Sequence, residues 1–453
     1  MTFLTDQVIA YVTFVLPIWE PLLVVDVLAL IVLIFVERLD PRSLIFWITV
    51  IVILPFAGIV LFALFGSTIY ASRRFGRKSA DDQRFLDYII PQEGEETVMQ
   101  RSLRELGADV RTKGNLVKLY WERSEILADV RADFDSATES IYIMARRMPH
   151  GLDEAMRSLI EKTKQGLDVR IMTSTLWFGR TGGIGKLRKV GAKFCTFHNP
   201  LYSALMKKSA YRNMRSFVVI DGAIAYEGRG AAMRLEGPAA ERLERRFRAD
   251  WLHGSGEDLG VRPVSTPPRQ GGVDVQIVSD GPDLRESSPM MTCYSDIIRG
   301  ARESLYMSFP YLMPNDELYA SVKLAVLSGV DVRILLPRRS RRWYQAWNSL
   351  AAAYPLMLAG ARVYFADRSL AKCIMVADRS TLSIGSSDFT TRSLDLDFNT
   401  NATVYSSEAA SEAADAILRE TGLAAECHPE DYESRSIADM FNIAVSRMLM
   451  FFN

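Results

Sequence analysis

The chain has 453 residues, with 54 basic side chains against 54 acidic ones and 49% hydrophobic residues. A balanced charge argues against the basic face by which nucleic-acid binders neutralise phosphates, so no nucleic-acid partner is expected. Four scattered cysteines without a C-x-x-C pair, and only four histidines, argue against a disulfide framework or a zinc site, and neither metal nor cofactor is expected.

Residues 1–70 read as a membrane anchor. From Leu44 to Phe65 the run LIFWITVIVILPFAGIVLFALF holds no charged residue, and at about 1.5 Å per residue it is long enough to cross a hydrocarbon core of roughly 30 Å. A fully buried helix of a soluble domain is the competing reading. An earlier apolar stretch, about 20–36, is interrupted by Asp26, and an acid inside a bilayer faces protein or water. The short loop from Glu37 to Arg42 makes these two stretches a transmembrane helical hairpin. Arg73, Arg74, Arg77 and Lys78 follow it, and positive residues favour the cytoplasmic side. The expectation is a multi-pass protein of the cytoplasmic membrane whose bulk faces the cytoplasm. No Lys or Arg precedes Arg38, unlike the start of a cleaved signal peptide.

Residues 71–120 read as a linker with helical character. Beyond it one α/β pattern is written twice. TESIYIM (138–144) returns as RESLYMS (302–308), QGLDVRIM (165–172) as SGVDVRIL (328–335), VGAKFCTF (190–197) as AGARVYFA (359–366), and RSFVVIDGAIAYEGRG (215–230) as KCIMVADRSTLSIGSS (372–387). The order is the same in both copies, which marks an internal repeat. Each copy alternates helix with short β-rich runs, and Gly166 and Gly329 stand where helices stop. That alternation predicts mostly parallel sheets covered by helices. The halves span 121–256 and 273–425, separated by a Gly- and Pro-rich linker at 257–272. The tail, 426–453, ends in an amphipathic helix with Ile437, Met440, Phe441, Ala444, Val445 and Met448 on one face. This face either packs on the domain or lies on the membrane.

Several segments carry a resemblance to a known family. ERLDPRSLIFWITVIVILPFAGIVLFALFG, YRNMRSFVVIDGAIAYEG, MRLEGPAAERLERRFRADW, PYLMPNDEL and SLAKCIMVADRSTLSIGSSDFTTRSLDLDFNTN, in this order, resemble the bacterial cardiolipin synthases of the phospholipase D superfamily. The resemblance implies an α/β fold in which two tandem phospholipase D-like halves form one pseudo-symmetric unit behind the anchor. It also implies phosphatidyl transfer between two phosphatidylglycerols at a shared cleft. Each half of such an enzyme supplies a His-x-Lys-x4-Asp motif; one histidine attacks phosphorus, the other protonates the leaving alcohol, and the lysines hold phosphate oxygens. Residues i and i+2 of a strand point the same way, so the His and Lys of one motif enter the cleft together. Such covalent catalysis needs both a nucleophile and an acid.

Both motifs (212–230 and 369–392) are degenerate here. Met214 and Ser216 stand at the first His and Lys positions, with Asp221 retained; Ala371 and Cys373 stand at the second, with Asp378 retained. Gly385, Ser386, Ser387 and Asp388 fill the family's Gly-Ser-x-Asn, Arg229 follows Gly228 where a small residue is usual, and Asn399 replaces a supporting Glu. None of the four histidines (His150, His198, His253 and His428) begins a His-x-Lys. Ser216 and Cys373 are nucleophiles in principle but have no base in the motif. Asp221 and Asp378 read as turn-capping residues. Strand alternation turns Arg215 and Lys372 away from the cleft, which weakens them as phosphate ligands, and His198 reads as a solvated loop residue. Arg229 is the stronger phosphate candidate, since arginine grips phosphate bidentately. Ser386 is a further candidate, and Arg338 and Arg341 in PRRSRRW suit either a membrane surface or a solvated loop. The expected protein is a catalytically inactive relative that binds phosphatidylglycerol or cardiolipin, pairs with an active synthase, or self-associates. An active transferase using non-standard residues and a purely structural membrane protein are the alternatives.

Overall fold

A computed structural model describes residues 25, 27–28, 30–31, 41–54, 57–65, 78–82, 85, 111–146, 153–174, 182–198, 211–228, 231–261, 266–283, 288–340, 342–367 and 372–449. The chain divides into two units, residues 1–77 with 206–209, and the remainder. In the first unit the uncharged run forms two helices, Pro41–Ile53 and Ala57–Phe65, rather than one. The sequence has Pro55 between them, a residue that cannot donate a helical hydrogen bond. The helices pack on each other: the Trp47 and Phe62 rings lie 5.4 Å apart edge to face, and a Cβ on Gly58 would stand 2.7 Å from the Ile51 Cα. Among the described residues no helix is long and apolar enough to cross a membrane. Asp26 and most of 20–36 lie outside the described residues.

The second unit is built on one continuous sheet of 15 strands. The first copy supplies β1 (Thr112–Tyr120), β2 (Ser140–Ala145), β3 (Asp168–Thr173), β4 (Lys193–Thr196), β5 (Phe217–Ile220), β6 (Ile224–Glu227) and β7 (Ala232–Glu236). The second supplies β8 (Val273–Asp280), β9 (Ser304–Ser308), β10 (Leu312–Met313), β11 (Asp331–Pro337), β12 (Arg362–Ala366), β13 (Ile374–Ala377), β14 (Thr381–Gly385), β15 (Phe389–Thr390), β16 (Asn399–Tyr405) and β17 (Ala425–Cys427). The order β4-β3-β2-β5-β6-β7-β1 meets β8-β16-β14-β13-β9-β11-β12-β17, two mirrored runs joined where β1 pairs antiparallel with β8. Asn115 donates across this seam to Val273 O at 3.2 Å, and Thr112 Oγ1 to Val275 O at 2.9 Å.

Two expectations need correction. Among the described residues, parallel pairing of strands is confined to β2-β3-β4, β9-β11-β12 and the small β10-β15 pair, with one isolated parallel bridge at Asn213-Phe398; the centre of the sheet is antiparallel. The cause is local: after its parallel strands each copy returns through a tight hairpin, whose turns hold Asp221 at φ 52° and Asp378 at φ 50°. The span 71–120 is not simply a linker either. β1 alternates buried and exposed positions only in part, and helical residues 78–82 bury Lys78 and Asp82 within the second unit.

Apolar cores lie against the sheet in both copies. Ile141, Ile143, Val169, Ile171 and Ile220 pack against Phe134, Met156 and Leu159 in the first; Leu305, Met307, Ile334 and Met375 pack against Ile297, Val322 and Leu356 in the second. The helix Pro238–Ser255 is buried along most of its length although rich in charge, and part of that charge is paired within it: Arg245 pairs with Glu241 at 2.8 Å and Arg248 with Glu244 at 2.6 Å. The terminal helix Ile437–Leu449 docks through Ile443 and Ser446, and Ser446 donates to Asn348 Oδ1 at 2.9 Å. The expected apolar face points elsewhere: Ile437 and Phe441 are 90% and 68% exposed.

Candidate functional site

The two retained aspartates occupy equivalent places. At the end of β5 the Asp221 carboxylate accepts the backbone N–H of Thr138, Glu139 and Ser140, each at 2.8 Å. Burial alone would raise its pKa, but these donors hold it below the usual carboxylate value. Asp378 accepts the N–H of Arg302, Glu303 and Ser304 at 2.8–2.9 Å. Each residue pins a hairpin turn to the start of the neighbouring strand.

At the other end of these hairpins the motif positions meet the seam. Met214 is buried and its N–H donates to Phe398 O at 2.8 Å, while Phe398 N–H donates to Arg212 O at 2.8 Å. These bonds tie the first motif to the start of β16 in the other copy. The carbonyl of Ser216 accepts Gly228 N–H at 3.3 Å, and that of Cys373 accepts Gly385 N–H at 3.3 Å, a matched pair. Ser216 also lines an apolar cavity of about 190 Å³ with Phe134, Ile143, Met156 and Gly228. The Cys373 thiol is 1% exposed and donates to Asp388 Oδ1 at 3.2 Å. Ser386 is fully buried, donating to Asn399 Oδ1 and Thr400 O at 3.2 Å, and Asn399 donates onward to Ser393 O at 2.7 Å. Ser386 therefore holds β16 in place and does not face a ligand.

The cations next to the motif positions are engaged as well. Arg215 is buried, and its guanidinium donates to Asp250 Oδ2 at 2.7 Å, Asp280 O at 3.0 Å and Asn399 O at 3.3 Å. It belongs to a buried ion network: Lys78 reaches Asp82 at 2.5 Å, Asp283 at 2.9 Å and Asp250 at 3.3 Å, and Arg246 reaches Asp82 at 2.7 Å and Asp250 at 2.9 Å. Burial pushes the Asp280 carboxyl up to about 7 and the Glu227 carboxyl well above its ordinary value, although Arg215 acts against the latter. Lys372 pairs with Glu420 beside the Trp121 ring. The Arg215 side chain ends in this buried ion network. Arg338 is half-exposed and pairs with Asp367 at 3.1 Å. Arg229, Arg341 and Ala371 lie outside the described residues. His198 is not solvated but 4% exposed, packed edge-on against Phe197 with its Nε2 on Tyr211 O.

Residues that the motif reading passed over surround Asp397. Its carboxylate accepts Arg212 N–H at 3.3 Å and lies 3.7 Å from Arg392 Nε. Both arginines sit inside the segments that carry the family resemblance, one on each side of the seam, and only the pairing of Asn213 with Phe398 brings them together.

Comparison with known proteins agrees with this arrangement. Residues 294–420 match the family model "Cardiolipin synthase, PLD-like domain". The chain is 25% identical to a cardiolipin synthase of Clostridium perfringens (strain 13 / Type A), over 91% of this chain and 95% of that protein. It is 27% identical to a cardiolipin synthase of Staphylococcus aureus (strain Mu50 / ATCC 700699), over 92% of each. In fold it is similar to the crystal structure of phosphatidylserine synthase from Haemophilus influenzae Rd KW20, with a TM-score of 0.57 at 10% identity, covering 79% of this chain and all of that one. In its duplicated sheet, the paired hairpins at its seam and these likenesses, the chain is similar to the cardiolipin synthases of the phospholipase D superfamily.

Proposed function

We propose that this chain is a member of that family which has lost phosphatidyl transfer and uses the cleft to bind anionic phospholipid, phosphatidylglycerol or cardiolipin, in the cytoplasmic membrane. The observation that carries the reading is the identity of Met214, Ser216 and Cys373 at the motif positions, with Ala371 as the fourth. A thioether, a hydroxyl, a thiol and a methyl do not supply both a nucleophile and an acid. The burial of Cys373 against a carboxylate weakens the alternative of a substitute nucleophile. The hairpins, turn aspartates and seam are meanwhile intact, as expected of a fold kept for binding. On this reading the N-terminal helices anchor the chain, the larger unit faces the cytoplasm, and an active synthase or a second copy is its protein partner.

The test is a radiolabelled phosphatidylglycerol assay on protein purified from a host without its own synthase, alone and mixed with an authentic synthase. No glycerol release by the protein alone, with changed output in the mixture or binding to anionic vesicles, is the expected result. Turnover by the protein alone that a cleft substitution abolishes would overturn it.

A further inference from the structure

The cavity of about 190 Å³ beside Ser216 lies on the face of β2, β5 and β6 that the helices Arg123–Ser136 and Asp153–Lys164 cover. Buried Phe134, Ile143, Leu159 and Tyr226 form its depth, and half-buried Ile126, Ser216 and Gly228 stand nearer solvent. The Tyr226 hydroxyl is taken up by Asp133. Glu227, the next residue of β6, projects from the opposite face of the sheet. The lining side chains therefore offer little polarity beyond the Ser216 hydroxyl. An apolar cavity of about 150 Å³ is already enough to hold a benzene-sized guest.

The other copy shows that the fold does not need this space. Ser140 and Ser304 start matched strands, each donating its N–H to the turn aspartate, and the Ser216-Gly228 bond matches the Cys373-Gly385 one. In that register Tyr294 stands where the first copy has Val130, and Phe309 where it has Ala145. Tyr294 and Phe309 are fully buried, with ring centroids 6.0 Å apart. Phe389, from the excursion between β14 and β16, lies 5.3 Å from Phe309 and 5.8 Å from Tyr294. All three rings share one core with Cys373, the counterpart of Ser216. In the first copy Val130, Ala145 and Ala232 line the cavity instead. A void in a close-packed core forfeits contacts and stability, so space kept in one copy where the fold can fill it marks a binding site. Its rim at Ser216 and Gly228 is the motif itself, so a guest with its polar end at the motif can extend an apolar end inward. We propose that this cavity receives the alkyl chain of a lipid whose head lies at the first motif. Phospholipid as the source of the chain rests on the reading of anionic phospholipid binding given above; a free fatty acid is the other source.

The experiment uses the full chain in phosphatidylcholine nanodiscs, free of alkyl detergent. The probes carry a photoreactive diazirine at the chain end and are phosphatidylglycerol, phosphatidylcholine and a fatty acid. Adducts are mapped by peptide mass spectrometry, and melting temperature is followed alongside. The phosphatidylglycerol probe should label the helices Arg123–Ser136 and Asp153–Lys164. Ala145→Phe, which copies Phe309, should cut that labelling about tenfold, the effect of denying the chain roughly two methylenes of burial. It should melt no lower than the parent, because it fills a void. Val130→Phe is a second filler and should do the same. Parent-like labelling of these helices in a filled variant that melts normally overturns the proposal. Melting well below the parent in both variants also overturns it, since the wall then has no room for a ring. Labelling of the same helices by the fatty acid and by neither phospholipid supports the chain pocket and removes phospholipid as its guest. Equal labelling by phosphatidylcholine supports the pocket and removes the anionic preference. Labelling confined to other parts of the chain removes the pocket, while binding to anionic vesicles is then still decided by the earlier assay.

Discussion

Asp250 is the hub of the buried network, touching Arg215, Arg246 and Lys78 at 2.7, 2.9 and 3.3 Å. Lys78, Arg215 and Arg246 supply three cations; Asp82, Asp250 and Asp283 supply three carboxylates, with Asp280 shifted towards its neutral form. Asp250→Asn keeps the volume and removes one negative charge, leaving three cations against two anions among side chains at most 5% exposed. Breaking a buried pair in this way costs about 3–5 kcal/mol, a large share of the roughly 5–15 kcal/mol by which a domain is stable. Urea unfolding followed by tryptophan fluorescence measures the loss, and Trp251 lies on the same helix. Adding Lys78→Met to Asp250→Asn restores a two-against-two balance, so the double variant should regain at least ~1 kcal/mol relative to additivity. A loss below about 1 kcal/mol for Asp250→Asn, as for an exposed pair, or strict additivity in the double variant, refutes the account.

Three further outcomes follow from the same geometry. The folded pKa of Asp250 is depressed by Arg215, Arg246 and Lys78 despite burial, so its contribution is present above the unfolded value near ~3.9 and is lost as pH falls through the folded one. Asp280 has the opposite sign: raised to about 7, it binds a proton in the folded state that the unfolded chain has released, so stability should decline between about pH 4 and 7 and level off above. Asp280→Asn should flatten that decline in urea unfolding across the range, and an unchanged slope counts against the assignment. Asp221→Ala and Asp378→Ala, each removing the carboxylate that accepts three backbone N–H groups, should each cost about 2–4 kcal/mol; catalytic aspartates without this capping duty would leave unfolding unmoved. Maleimide should leave Cys373 and Cys293 unmodified in the native protein, since they are 1% and 0% exposed, and label Cys427 sooner. Fast labelling of Cys373 would reopen the case for it as a nucleophile.

Much of this architecture was legible because the copies repeat the same local signals. The pairs DVRIM and DVRIL are parallel strands at equivalent places, and the Asp of each motif closes the same turn. Strand β1 escaped notice because TKGNLVKLY buries its residues irregularly, one edge shared with β7 and the other with β8. The excess of antiparallel pairing was hidden because strand order depends on where a hairpin returns, and composition is silent on that. At the site, alternation gives the side to which Arg215 points, yet its partner Asp250 stands 35 residues away on a helix. The arginines around Asp397 come from positions 185 residues apart for Arg212 and the carboxylate, a proximity that only the folded seam creates.

The unbroken hydrogen-bonding from β4 to β17 also bears on motion. Domains that grip a ligand by closing like jaws need a hinge between them, and here the junction is a strand ladder at β1-β8 reinforced by the Asn213-Phe398 bridge. Opening such a junction would tear hydrogen bonds across the middle of the molecule. The spacing between the two copies is thus fixed at folding.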